Sequence, residues 1–127
     1  MTSFKELVDL IAFMRSGDGC AWDREQTLDD FKVHFRNESQ EVLDALESGD
    51  TENLKEELGD VLWHILFMSQ IAKERGLFTI DDVMAGINDK IVRRHPHVFG
   101  GARKLDTSGE VLGEYRKIKA AEKKRKL

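Results

Sequence analysis

Leu54-Lys55-Glu56-Glu57-Leu58-Gly59-Asp60-Val61-Leu62-Trp63-His64-Ile65-Leu66-Phe67-Met68 is the stretch that decides the fold class. Its apolar residues Leu54, Leu58, Val61, Leu62, Ile65 and Met68 recur at helical spacing, not at the period of two that marks a strand. The pattern predicts a helix from about Thr51 to Arg75, with Gly76 placed to end it. Between Val61 and Ala72 the helix is apolar nearly all round, because Trp63 and Phe67 lie off the main stripe. A helix with that profile is buried on most sides. In so short a chain a second copy can cover the far side, so the expectation is a homodimer or homotetramer. The competing reading is a central helix within a monomer.

Working outward, the same period recurs on both sides. Phe4, Leu7, Val8, Ile11 and Met14 predict a first helix, with Ser3 and Glu6 as its capping box. Residues Ser16 to Gln26 read as a loop carrying Cys20 and Trp22. Thr27 is placed to cap a second helix, to about Glu47, with Phe31, Phe35, Val42, Ala45 and Leu46 on one face. Ser48-Gly49-Asp50 is a short turn. Thr79 heads a fourth helix carrying Val83, Met84, Ile87 and Ile91, which should end before Pro96. Thr107 or Ser108 heads a last one with Val111, Leu112, Tyr115 and Ile118. The expected fold is an all-α bundle of four to five helices whose core is completed by oligomerisation. Residues 1–127 read as one domain, with a frayed basic tail over about 120–127.

Composition narrows the function classes. The single cysteine, Cys20, excludes an intrachain disulfide framework and fits a reducing compartment. The longest nearly apolar run, Val61 to Met68, falls far short of the ~20 residues of a membrane span. With no basic-then-apolar pattern at Met1 to Glu6, a cytoplasmic location is expected. Charge is unevenly spread: residues 37–60 hold nine acids and one base, whereas residues 90–127 hold twelve Lys/Arg and four acids. A basic block suggests an anionic partner. The chain as a whole carries a net charge of −4, and the basic block has no aromatic residue interleaved beyond Tyr115, which disfavours nucleic acid.

The acids have a pattern. On a helical wheel centred on Phe31, Glu38 falls about 20° away, inside the apolar arc, and Glu41 about 80° away, at its edge. On the next helix Glu57 and Asp60 flank the stripe of Leu58, Val61 and Ile65. Each helix thus brings an i, i+3 acid pair to the border of its packing face. A hairpin across Gly49 would let all four converge, and clustered anions stay ionised only with cations between them. Oxygen-only ligands suit Mg²⁺, with Mn²⁺ as a substitute. A solvated helix face is the plain alternative for either pair alone. A di-iron bundle would need Glu-x-x-His on two helices, and neither pair has it. No Gly-x-x-x-x-Gly-Lys loop is present, which excludes a P-loop enzyme.

At these residues the chain resembles the MazG family of nucleoside triphosphate pyrophosphohydrolases, within the all-α NTP pyrophosphatase superfamily. The family signature, Glu-Glu-x-x-Glu then Glu-Glu-x-x-Asp, is matched by Asn37-Glu38-Ser39-Gln40-Glu41 and Glu56-Glu57-Leu58-Gly59-Asp60. Cys20-Ala21-Trp22-Asp23-Arg24-Glu25-Gln26-Thr27 and Arg93-Arg94-His95-Pro96-His97-Val98-Phe99 match two further runs. Asn37 departs from the first Glu of the signature and Ala21 from a loop proline.

The resemblance implies Mg²⁺-dependent hydrolysis of an NTP or dNTP to the monophosphate and pyrophosphate, in nucleotide-pool house-cleaning. It implies Glu38, Glu41, Glu57 and Asp60 as the metal-holding catalytic set. Arg93, Arg94 and Lys119 are then the phosphate-binding candidates and Trp22 the nucleobase candidate. Two alternatives stand beside it. One is a narrow-substrate enzyme like a dUTPase or dCTPase. The other is a non-catalytic helical module that binds nucleotides or a partner.

Overall fold

The computed structural model describes residues 1–101 and 104–126, and helices are the only regular elements among them. In order they are α1 (Phe4–Met14), α2 (Ala21–Glu25), α3 (Phe31–Ser48), α4 (Thr51–Glu74), α5 (Ile80–Arg93), α6 (Pro96–Phe99) and α7 (Ser108–Lys126). The five long ones are those the periodicity predicts. The two short ones were not expected: α2 falls in the stretch read as a loop and α6 just past the expected end of the fourth helix, because a single turn is too short to show a period. The chain divides into two units, Met1–Ile80 and Asp81–Leu127.

In the first unit α3 and α4 form an antiparallel hairpin, and α4 also packs on α1. Gly49 makes the hairpin possible: its φ of 70° is left-handed backbone that a Cβ would strain. Asp50 then caps α4, its side chain accepting from the Asn53 amide at 3.1 Å. At the far end the Leu77 amide donates to the Ala72 carbonyl and the Gly76 amide to that of Lys73, a Schellman closure. The α3 start differs from expectation. Thr27 does not begin the helix but closes a turn of its own, donating through its amide and hydroxyl to the Asp30 carboxylate at 2.8 and 3.0 Å. Phe31 is therefore the first helical residue.

The core of this unit is Phe31, Phe67 and Ile71, with Leu28 and Met68 packed against it. Phe67, read from the wheel as off the main stripe, is buried, whereas Leu58 and Leu62 on that stripe remain exposed. The burial of α4 is concentrated in its second half, from Leu66 to Ala72.

In the second unit, α5 shows its apolar residues Val83, Met84, Ile87 and Ile91 on an exposed face. Pro96 starts α6, where its missing N–H costs nothing. Thr107 caps α7, accepting from the Glu110 amide at 3.2 Å. The helix continues through Lys126, into the basic end of the chain.

Candidate active site

The hairpin brings the two acid pairs together. One oxygen from each of Glu38, Glu41, Glu57 and Asp60 lies within 4.8 Å of the others. Glu38 is only 7% exposed. Its Oε1 and the Oε2 of Glu57 are buried with no hydrogen-bond partner among the described residues. Burial first, then the neighbouring carboxylates of Glu57 and Glu41, push the Glu38 carboxyl up to about 8. Two orphaned acceptors facing a group of acids are what a cation satisfies. The donor set is all oxygen, with no histidine in the cluster, and fits a hard divalent ion. Glu56, the remaining acid of the second half of the signature, is exposed and outside the cluster.

Next to the carboxylates is a cavity of about 290 Å³. Trp22, Phe31, His34, Trp63, His64 and Phe67 line it, with Asn37, and Glu38 and Glu41 form part of its wall. The rings brace one another: Phe31 lies 4.8 Å from Phe67, 5.3 Å from His34 and 5.4 Å from His64, between centroids. His34 Nε2 is hydrogen-bonded to the Gln26 side-chain oxygen at 2.8 Å. His64 loses basicity through burial, which outweighs the nearby Asp60. Of the residues that line it, the sequence pattern singles out Trp22, Glu38 and Glu41 as site candidates, and not Phe31, His34, Trp63, His64 or Phe67. Trp63 was read as an assembly residue; it is 49% exposed and walls the cavity. The signal was available, because Trp63 and Phe67 sit one turn apart on the helix that carries Glu57 and Asp60.

The predicted phosphate-binding residues lie in the second unit and gather around Tyr115 and Glu122, neither of which was singled out as a site residue. Arg94 donates to Glu122 Oε1 at 2.8 Å and to the Tyr115 hydroxyl at 2.6 Å, with its guanidinium 5.0 Å from the Tyr115 ring centre. Arg93 Nε donates to Glu122 Oε2 at 2.8 Å, and Lys119 Nζ stands 5.9 Å from the same ring. Held between two guanidiniums, with Arg94 the stronger influence, Glu122 falls to about 2. The two arginines differ in exposure: the Arg93 side chain is 45% exposed and reaches outwards. The Arg94 side chain is 13% exposed, because α7 supplies a carboxylate that the local sequence around Arg94 does not show.

Residues 26–99 match the MazG nucleotide pyrophosphohydrolase domain. The chain belongs to the MazG family. It is 45% identical over 123 residues to the nucleoside triphosphate pyrophosphohydrolase/pyrophosphatase MazG of Thermotoga maritima, covering 97% of this chain and 46% of that protein. It is 39% identical over 127 residues to a nucleoside triphosphate pyrophosphohydrolase of Escherichia coli, covering 99% of this chain and 48% of that protein. The chain thus spans about half the length of these MazG relatives. Its fold matches the crystal structure of a MazG-related protein from Thermotoga maritima with a TM-score of 0.74, covering 91% of this chain and 98% of that one, at 22% identity.

Proposed function

We propose that this chain hydrolyses nucleoside triphosphates, ribo or deoxy, to the monophosphate and pyrophosphate, using Mg²⁺ held by Glu38, Glu41, Glu57 and Asp60. Mn²⁺ substitutes for it. The observation that carries the reading is the convergence of four carboxylates from two helices on the wall of an aromatic cavity. A bound divalent ion supplies charge neutralisation on the phosphate oxygens and makes water more acidic.

The chain's own residues do the rest. The aromatic cavity takes the base by stacking, with Trp22 as one of its faces. Water adds to the α-phosphorus, the bond from that phosphorus to the α–β bridging oxygen breaks, and pyrophosphate leaves with that oxygen. The proton of the attacking water passes to a carboxylate oxygen of the cluster, with Glu57 the candidate. Arg93, Arg94 and Lys119 bind the phosphates. Arg94 is already engaged by Glu122, so a phosphate either replaces that carboxylate or takes the Arg93 Nη atoms, which carry no hydrogen bond among the described residues.

The family match runs across residue 80, where the first unit ends, and this supports reading the chain as a single MazG-like domain. The exposed apolar face of α5 supports a homodimer or homotetramer. The single free Cys20 suits the cytoplasm, and no described helix is long and apolar enough to cross a membrane. Removing damaged or surplus nucleotides is the role this chemistry suits.

The deciding experiment is a panel of NTPs and dNTPs with Mg²⁺, resolving pyrophosphate from orthophosphate. Release of pyrophosphate with the monophosphate is the expected result. Orthophosphate alone, or no turnover with Mg²⁺ or Mn²⁺, overturns the reading.

A further inference from the structure

Arg15, just past the end of α1, has a side chain only 8% exposed. Its guanidinium is engaged on every side. Nε and Nη2 donate to the two carboxylate oxygens of Glu74 at 2.9 and 3.0 Å. Nη1 donates to the main-chain oxygen of Asp23 and, at 3.0 Å, to that of Gln26. The cation stands 5.5 Å from the centre of the Phe67 ring. One side chain therefore ties the end of α1 to the segment carrying Trp22 and to the last turn of α4.

An interior guanidinium is costly to desolvate, and an apolar residue would fill the same space at less expense. What the guanidinium adds is direction: a planar fork fixes one carboxylate, two carbonyls and one ring at once. Those partners lead to the cavity. Gln26 donates from Nε2 to the Trp22 carbonyl at 3.2 Å and holds His34 Nε2 through its other side-chain atom at 2.8 Å. Phe67 meets Trp22 edge-on at 6.5 Å. Trp22 itself is 53% exposed, so its place depends on where its segment is held more than on packing around the ring. None of the hydrogen bonds of Arg15 goes to the four clustered carboxylates.

We propose that Arg15, oriented by Glu74, is a positioning residue for the aromatic cavity: it fixes the segment bearing Trp22 and Gln26 and so sets how tightly the cavity holds a nucleobase. The proposal rests on the cavity being the base site of the activity proposed above. A misplaced ring loses stacking on substrate and transition state alike, so the effect belongs in KM and not in kcat.

The test uses the full chain with Arg15→Met, Arg15→Lys and Glu74→Gln. Turnover with Mg²⁺ is measured beside calorimetric titration with two probes, a nucleoside monophosphate and base-free inorganic pyrophosphate. In Arg15→Met, KM should rise about tenfold with kcat within about twofold. Monophosphate affinity should fall in parallel and pyrophosphate affinity should not. Arg15→Lys should recover part of the loss. Should Arg15→Met fail to fold, Glu74→Gln carries the test, with a KM rise of about threefold at unchanged kcat. Unchanged KM and monophosphate affinity in folded Arg15→Lys and Glu74→Gln, or a fall confined to kcat, overturns the proposal. Trp22→Ala separates the two ideas. If it weakens monophosphate binding while the Arg15 and Glu74 variants do not, only the positioning role is wrong. If it leaves monophosphate binding untouched, the base-site reading falls and the proposal with it.

Discussion

Glu38 and Glu57, on opposite arms of the Gly49 hairpin, each bury one carboxylate oxygen that no donor among the described residues satisfies. Leaving two acceptors of like charge unpaired beside one another opposes folding unless a proton or a cation is shared between them. The two ways of relieving that cost have different pH dependence, and this makes them separable.

Without metal, Glu38 takes the proton. Its folded carboxyl stands at about 8, above the ordinary value of 4.5, so the folded state holds the extra proton between those limits. The stability this lends is fully present below pH ~4.5 and is lost as pH rises through ~8. In EDTA, Tm should therefore fall from pH 5 to pH 8 more steeply than in Glu38→Gln. Added Mg²⁺ should raise Tm more at pH 8 than at pH 5, because ligation needs the ionised carboxylate. Thermal melts over a pH series, with and without Mg²⁺, check both. A Tm independent of Mg²⁺ at pH 8 would count against the carboxylates as a metal site.

Glu41→Gln and Asp60→Asn keep the side-chain shape and remove one anionic ligand each. Both should abolish pyrophosphate release and leave the helical circular-dichroism signal unchanged, since the two residues border the core without filling it. Ordinary turnover in either variant at millimolar Mg²⁺ would rule out the four-carboxylate site.

Arg93 and Arg94 should separate. Arg93→Ala removes an outward-facing fork, so kcat/KM should fall on the order of tenfold, the worth of one charge-assisted hydrogen bond, with Tm nearly constant. Arg94→Ala should lower kcat/KM and Tm together, because it also strips Glu122 and Tyr115 of a shared partner. Glu122→Gln should lower Tm in the same direction. Kinetics and melts on the three variants decide it, and an Arg94→Ala protein with wild-type Tm would show that this ion pair contributes nothing to the fold.

Assembly and the base site should also respond to different substitutions. Ile87→Asp, on the exposed face of α5, should shift light scattering towards the monomer. Trp63→Asp, on the cavity wall, should raise KM instead. A wild-type monomer at micromolar concentration would refute the oligomer.

What was legible in the sequence is what depends on near neighbours. Helix period, the caps at Ser3 and Thr107, the stop at Gly76 and the i, i+3 acid pairs all arise within one or two turns, where chain geometry leaves little choice. By themselves these local rules determined an all-helical chain with two acid pairs on consecutive helices, one short turn apart. Tertiary structure decided the contacts that no local rule specifies. It decided that Phe67 and not Leu62 enters the core, and that Trp63 walls a cavity. It decided that Arg94 meets a carboxylate 28 residues away and that Arg15 meets one 59 residues away. An ion pair or a buried ring depends on which faces meet once the hairpin closes. That is settled by packing against distant residues, which the period of a single helix does not encode.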